Sequence, residues 1–215
     1  IKAALQSDNS IVDETDIAVG NRTLFFRFGT GNVIQKPSDS TYAKEFSIIV
    51  TDSSGNPVAN QQLNVAALPI AYRKGFWIKS PPAPEAFKVW VPYVTVRDGL
   101  DNPLNCDNED VNLNGILDPG EDTNADGLLT PGNTVVVPRT VTADENGIAQ
   151  FVITYPQDAG AWLDVRLQVS GTAGGSENVA YREYTLTVSA EDVTQENSPP
   201  PANPQGEATS CAIAD

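Results

Sequence analysis

The sequence of 215 residues contains no histidine and no methionine, only two cysteines, and 13 lysines and arginines against 28 aspartates and glutamates. Each shortage excludes something. Without histidine the chain lacks the commonest general base and the commonest zinc and copper ligand. A formal charge of −15 speaks against nucleic acid and against anionic membrane surfaces, which both select basic faces. No apolar run reaches the roughly 18 residues that a membrane helix needs, so no span is expected. The cysteines stand at positions 106 and 211, which rules out a Cys-x-x-Cys redox or zinc motif. Nucleophile signatures such as G-x-S-x-G and S-x-x-K are missing, as is a phosphate-cradling G-x-x-x-x-G-K-[ST] loop. A glycosidase carboxylate pair meets only in three dimensions and leaves no sequence trace. The expectation is a protein that is not an enzyme. With no initiator methionine, Ile1 reads as a processed end or a cut through a longer chain.

What the sequence does have is an internal repeat. Residues 110–121 read DVNLNGILDPGE and residues 122–133 read DTNADGLLTPGN. Calcium is a hard cation that takes six to eight oxygen ligands, and a tight loop presents them from alternate positions. Loop one fits the D-x-[DN]-x-[DN]-G-x5-E pattern throughout, with Asp110, Asn112, Asn114, the carbonyl of Ile116, Asp118 and Glu121 as expected ligands. Gly115 falls where the chain must turn sharply. Loop two offers Asp122, Asn124, Asp126, the carbonyl of Leu128 and Thr130, and ends in Asn133, which lacks the bidentate carboxylate of Glu121. Counted this way, loop one holds three carboxylates and loop two holds two. Two Ca2+ ions are expected, the first bound more tightly. From Asp98 to Pro138 there are nine acidic residues and no lysine or arginine, a density that repels itself unless a cation neutralises it. The second loop starts on the residue after the first ends, which leaves no room for the flanking helices of an EF-hand. The expected role is to stiffen a loop inserted in another fold.

The rest of the chain reads as strands. In 45–51 Phe46, Ile48 and Val50 alternate; in 61–68 Leu63, Val65 and Ala67 do; in 149–155 Phe151, Ile153 and Tyr155 do. In 161–169 Leu163, Val165, Leu167 and Val169 alternate strictly with Asp164, Arg166 and Gln168. Further strands are expected over 22–28, 73–79, 87–96, 134–142 and 181–189, with turn chemistry at DSSGNP (52–57) and ADENG (143–147). No long stretch has a helical period. The pattern predicts an all-β fold, an antiparallel sandwich of about nine short strands. The domain reading has residues 1–20 as the end of a preceding domain, a linker or an N-terminal arm. Residues 21–190 form the sandwich, with the calcium-loop insertion at 98–133, and 191–215 form an irregular, proline-rich tail. Cys106 and Cys211 read as a disulfide that ties down the tail; the alternative is two free thiols in a reducing compartment. Calcium-type loops, acidity and a polar tail suit an extracellular, oxidising location.

VTDSSGNPVANQQLNV (50–65) followed by TADENGIAQFVITYP (142–156) resembles the bacterial immunoglobulin-like repeats of the invasin/intimin type, over roughly residues 20–190. The insertion NEDVNLNGILDPGEDTNADG looks like a calcium-loop variant found in large bacterial surface or secreted proteins of that kind. The long excursion from 69 to 133 departs from a plain repeat and leaves the strand count open. The resemblance implies an immunoglobulin-like β-sandwich in tandem arrays that build a stalk or carry an adhesive tip; no activity follows from it.

Three functional readings stand. The first is a calcium-stiffened, non-catalytic module of a bacterial cell-surface adhesin or stalk. Its partners would be other immunoglobulin-like domains of the same chain or neighbouring subunits, and a host or matrix protein or glycan. The second is a filament subunit whose residues 1–20 add as a strand to a neighbouring copy, which requires that arm to be strand-forming and unpaired in its own chain. The third is a carbohydrate-binding module, which requires Trp77, Trp90 and Trp162 together on one exposed face.

Overall fold

The computed structural model describes residues 2–5, 8–14 and 23–214, the first two stretches as backbone alone. Ile1 lies outside the described residues. Strands β1 (Lys2–Leu5) and β2 (Asp8–Glu14) pair antiparallel with each other. The main body begins with β3 (Phe25–Thr30), β4 (Gln35–Ser38), β5 (Thr41–Thr51) and β6 (Gln62–Tyr72). A hairpin of β7 (Gly75–Ser80) and β8 (Val89–Val94) follows, then the short β9 (Cys106–Asp107). After the double loop come β10 (Thr140–Thr142), β11 (Ile148–Pro156), β12 (Leu163–Ala173) and β13 (Ser176–Thr185). One helical turn, α1 (Ala190–Val193), opens the tail.

Two antiparallel sheets face each other. One has the order β3-β5-β11, with β4 also on β5; the other has the order β13-β12-β6-β10, with β9 on the end of β6. In immunoglobulin lettering these are A-B-E against G-F-C. The fold is an all-β, immunoglobulin-like sandwich. The alternation expected from sequence builds its core: Phe46, Ile48, Val50, Leu63, Val65, Ala67, Ile153, Leu163, Val165, Leu167 and Val169 are all buried. Every second residue of β5, β6, β11 and β12 points inward because successive Cβ atoms alternate across a strand.

Three expected strands come out differently. Residues 134–142 supply only the three-residue β10 and an isolated bridge from Val136 to Thr154, because Pro138 cannot donate to a ladder. The β12–β13 hairpin extends to Ala173 and Ser176 rather than stopping near 169 and starting near 181. The excursion 69–133 is ordered. It contains the β7–β8 hairpin, the turn DGLDNP (98–103), β9 and the double loop. Asp98 and Asp52 make the same turn: each Oδ1 accepts from the backbone two and four residues on, at 2.8–2.9 Å.

The tail is a strap. Its carbonyls accept from the indoles of Trp77 (to Pro201) and Trp90 (to Gln195), both at 2.9 Å, and from the Thr95 hydroxyl (to Ala208) at 2.8 Å. Asn203 donates to the carbonyls of Arg73 and Gly75. Cys211 closes the strap with a disulfide to Cys106, Cα–Cα 5.5 Å. There are no free cysteines.

Candidate metal centre

Strand β9 pairs with the end of β6, Tyr72 opposite Cys106 and Ala71 opposite Asp107. That pairing delivers the next residues to the double loop at a fixed point. Asn108 donates to the carbonyl of Pro69 at 2.8 Å and accepts from the backbone of Asp110 at 3.1 Å, which pins the entry.

Within each loop the same bonds recur at the same positions. Asp110 accepts from the backbone of Asn114 and Gly115 at 2.9 and 2.8 Å; Asp122 accepts from Asp126 and Gly127 at 3.1 and 3.0 Å. Asn112 Oδ1 accepts from Asn114, and Asn124 Oδ1 from Asp126, both at 3.0 Å. Asn114 Oδ1 accepts from Ile116, and Asp126 Oδ1 from Leu128, at 2.6 and 2.7 Å. Gly115 and Gly127 both have φ of +77°, a conformation that disfavours any side chain. These bonds fold the side-chain oxygens of each loop back onto its own backbone.

Between the loops the pattern is reciprocal, and here a residue that the ligand reading omitted becomes decisive. Glu121, closing loop one, accepts from the backbone of Val111 and Asp118 at 3.1 and 2.9 Å. Glu109, which precedes loop one, does the same for loop two, accepting from Thr123 and Thr130 at 2.9 and 2.8 Å and also from Asn124 at 3.1 Å. The backbones match as well: Glu109 N–H donates to the Thr130 carbonyl at 3.0 Å and Glu121 N–H to the Asp118 carbonyl at 3.1 Å. Each glutamate therefore holds the equivalent place in one loop, and the two loops form a pseudo-twofold pair. The signal was present in the sequence one residue earlier: the repeat is EDVNLNGILDPG (109–120) followed by EDTNADGLLTPG (121–132).

Asn133 is not brought to loop two's carboxylates. Its amide donates to the Ala67 carbonyl at 3.0 Å and its oxygen accepts from Val135 at 3.2 Å, so it tethers the exit of the loop to β6. With Glu109 in place, loop two holds three carboxylates, as loop one does, and the ground for ranking the first site tighter disappears. Glu109, Asp122 and Asp126 each bring an oxygen within 4.8 Å of the others. In loop one, Asp118 instead accepts from the amides of Asn112 and Asn114 at 2.8 and 2.9 Å.

The electrostatics are one-sided. Glu109 is 2% and Glu121 8% exposed, and buried carboxylates are costly unless a positive charge or many donors compensate. The phenol of Tyr72, buried under the site, is pushed up to about 12, first by burial and then by the charges of Glu109 and Asp126. Against this the loops supply backbone N–H groups but no lysine or arginine.

A comparison with protein-family models finds no match, and neither does a search of curated proteins. Among solved structures the chain is similar to the crystal structure of MtrC from Shewanella baltica OS185, at 17% identity and a TM-score of 0.31, over 79% of this chain. The chain spans 23% of the length of that protein. A likeness of this score bears on neither the site nor its use.

Loop two offers side-chain oxygens from Glu109, Asp122, Asn124, Asp126 and Thr130 and the carbonyl of Leu128. Loop one offers Asp110, Asn112, Asn114, Asp118, Glu121 and the carbonyl of Ile116. All are hard oxygen donors with no nitrogen or sulfur, which fits calcium and not zinc or copper.

Proposed function

We propose that this chain is a non-catalytic, calcium-stabilised immunoglobulin-like module of a bacterial extracellular or cell-surface protein, serving as part of an adhesin or stalk. The observation that carries the reading is the reciprocal placement of Glu109 and Glu121, each buried and each completing an oxygen-rich loop. Calcium would be held in loop one by Asp110, Asn112, Asn114, Asp118 and Glu121, and in loop two by Glu109, Asp122, Asn124, Asp126 and Thr130. When bound, the ions supply positive charge that relieves the repulsion between clustered carboxylates. The residues do the rest: Asn108 and Asn133 fix the two ends of the insertion on β6, so an ordered double loop stiffens that end of the sandwich.

The disulfide supports an oxidising compartment, and among the described residues no helix is long and apolar enough to cross a membrane. The invasin/intimin resemblance supports a tandem arrangement with other immunoglobulin-like domains and an exposed partner such as a host or matrix protein or glycan. Two observations weigh against the rival readings. Trp162 is fully buried, and the indole N–H groups of Trp77 and Trp90 are spent on the tail, so the three tryptophans do not form an open glycan platform. Strands β1 and β2 pair with each other, whereas strand donation to a neighbour asks for an unpaired arm. Calorimetric titration of the oxidised chain with calcium tests the proposal. Two bound ions are expected; no binding at millimolar calcium would refute it.

A further inference from the structure

The Cys106–Cys211 disulfide lies beside the double loop. Cys106 is 1% exposed and stands three residues before Glu109. A groove of about 390 Å³ is lined by Cys106 and Cys211 together with Glu109, Glu121 and Thr123. The bridge links β9, which aims Glu109 at loop two, to a strap whose other end is held on the β7–β8 hairpin. Lys74, also 1% exposed, donates to the Ile213 carbonyl at 2.7 Å just past the bridge. The position of Glu109 thus depends on an element that a covalent bond keeps in place.

We infer that the disulfide is a redox control on metal binding: the oxidised chain holds calcium tightly, and reduction of Cys106–Cys211 weakens it. The inference rests on the calcium reading above. A dithiol carries out the step. It transfers two electrons and two protons, leaving Cys106 and Cys211 as thiols and itself as a cyclic disulfide. Freed from Cys211, the strap no longer restrains β9, and the metal-competent placement of Glu109 must be reached from a looser ensemble. Because coupling between two equilibria is reciprocal, calcium must resist reduction by the same factor that reduction weakens calcium. A module of this kind would bind its metal at full strength only after reaching an oxidising, calcium-rich compartment.

The test uses the full chain and calcium alone as the probe. Calcium affinity is measured by titration before and after treatment with dithiothreitol, with near-UV circular dichroism reporting an intact sandwich. The expected result is a Kd about fivefold or more weaker after reduction, within the usual range of coupled sites. The double variant Cys106→Ser/Cys211→Ser gives the same comparison without reductant. If either treatment unfolds the chain, the intact protein is used well below its melt. There the ratio of dithiol to its cyclic disulfide at half-reduction is compared in calcium and in chelator, and calcium is expected to raise it by the same factor. Equal affinities in oxidised and reduced chains, or equal half-reduction points, would overturn the coupling while leaving the metal reading intact. An oxidised chain that binds no calcium would overturn both.

Discussion

At the scale of single residues, the proposed calcium binding turns on which side chain closes each loop. Glu109→Gln keeps the shape of the side chain and removes its charge. It should weaken calcium binding at loop two about tenfold or more, as Glu121→Gln should at loop one. Asn133→Ala should leave calcium affinity nearly unchanged and instead cost about 1 kcal/mol of stability, the worth of its bond to Ala67. Calorimetric titration of the three variants separates these outcomes; a larger affinity loss at Asn133 than at Glu109 would reverse the ligand assignment. Residue chemistry also sets the alkaline limit. The Tyr155 phenol is held above its ordinary value of 10.0, first by burial, and Tyr42 likewise, by burial and then by its bond to Asp192. A raised folded value means that stability is whole below pH 10 and is lost as pH rises beyond it, because only the unfolded chain ionises readily there. Phenolate absorbance should therefore show a late class of tyrosines that titrates together with the loss of circular dichroism. Titration of all tyrosines near pH 10 in the folded chain would contradict this.

At the scale of elements, the sandwich strands were legible and the excursion was not. Alternation in β5, β6, β11 and β12 is a strong signal, because each strand has one face in the core and one in water. The hairpin β7–β8 was visible as aromatic strands, but nothing in its sequence says that a distant tail lies over Trp77 and Trp90, since long-range packing leaves no local period. The tandem loops were readable because metal-ligand spacing is local. Glu109 shows in sequence only as a repeat framed one residue earlier, and which loop it completes is displayed only by the folded pair. One element has a sharp steric requirement. At Gly75 the backbone has φ of +152°, and an added Cβ would stand 2.0 Å from the Tyr93 carbonyl oxygen. The same residue donates its N–H to the Gly206 carbonyl at 2.8 Å. Gly75→Ala should therefore push β7 from β8 at the point where the hairpin bonds to the strap, and cost about 2 kcal/mol or more. Faster proteolysis of the tail and a lower Tm would register it; an unchanged melt would mean the pinch is not needed.

At the scale of the whole molecule, three devices act on the same end of the sandwich: the double loop, the disulfide and the strap. The bridge closes a separation of 105 residues, for which chain entropy alone gives about 4–5 kcal/mol. Composition pointed to this level only in outline. An acidic chain with two cysteines suggests a compartment, while the meeting of Cys106, Cys211 and Glu109 is a product of topology. The most direct measurement is a thermal melt of the oxidised chain in calcium and in excess chelator. Two sites at a hundredfold excess over Kd each add about 2.7 kcal/mol, so Tm should rise by roughly 10 °C or more in calcium. Coincident melts would contradict the account and reduce the double loop to a solvated turn.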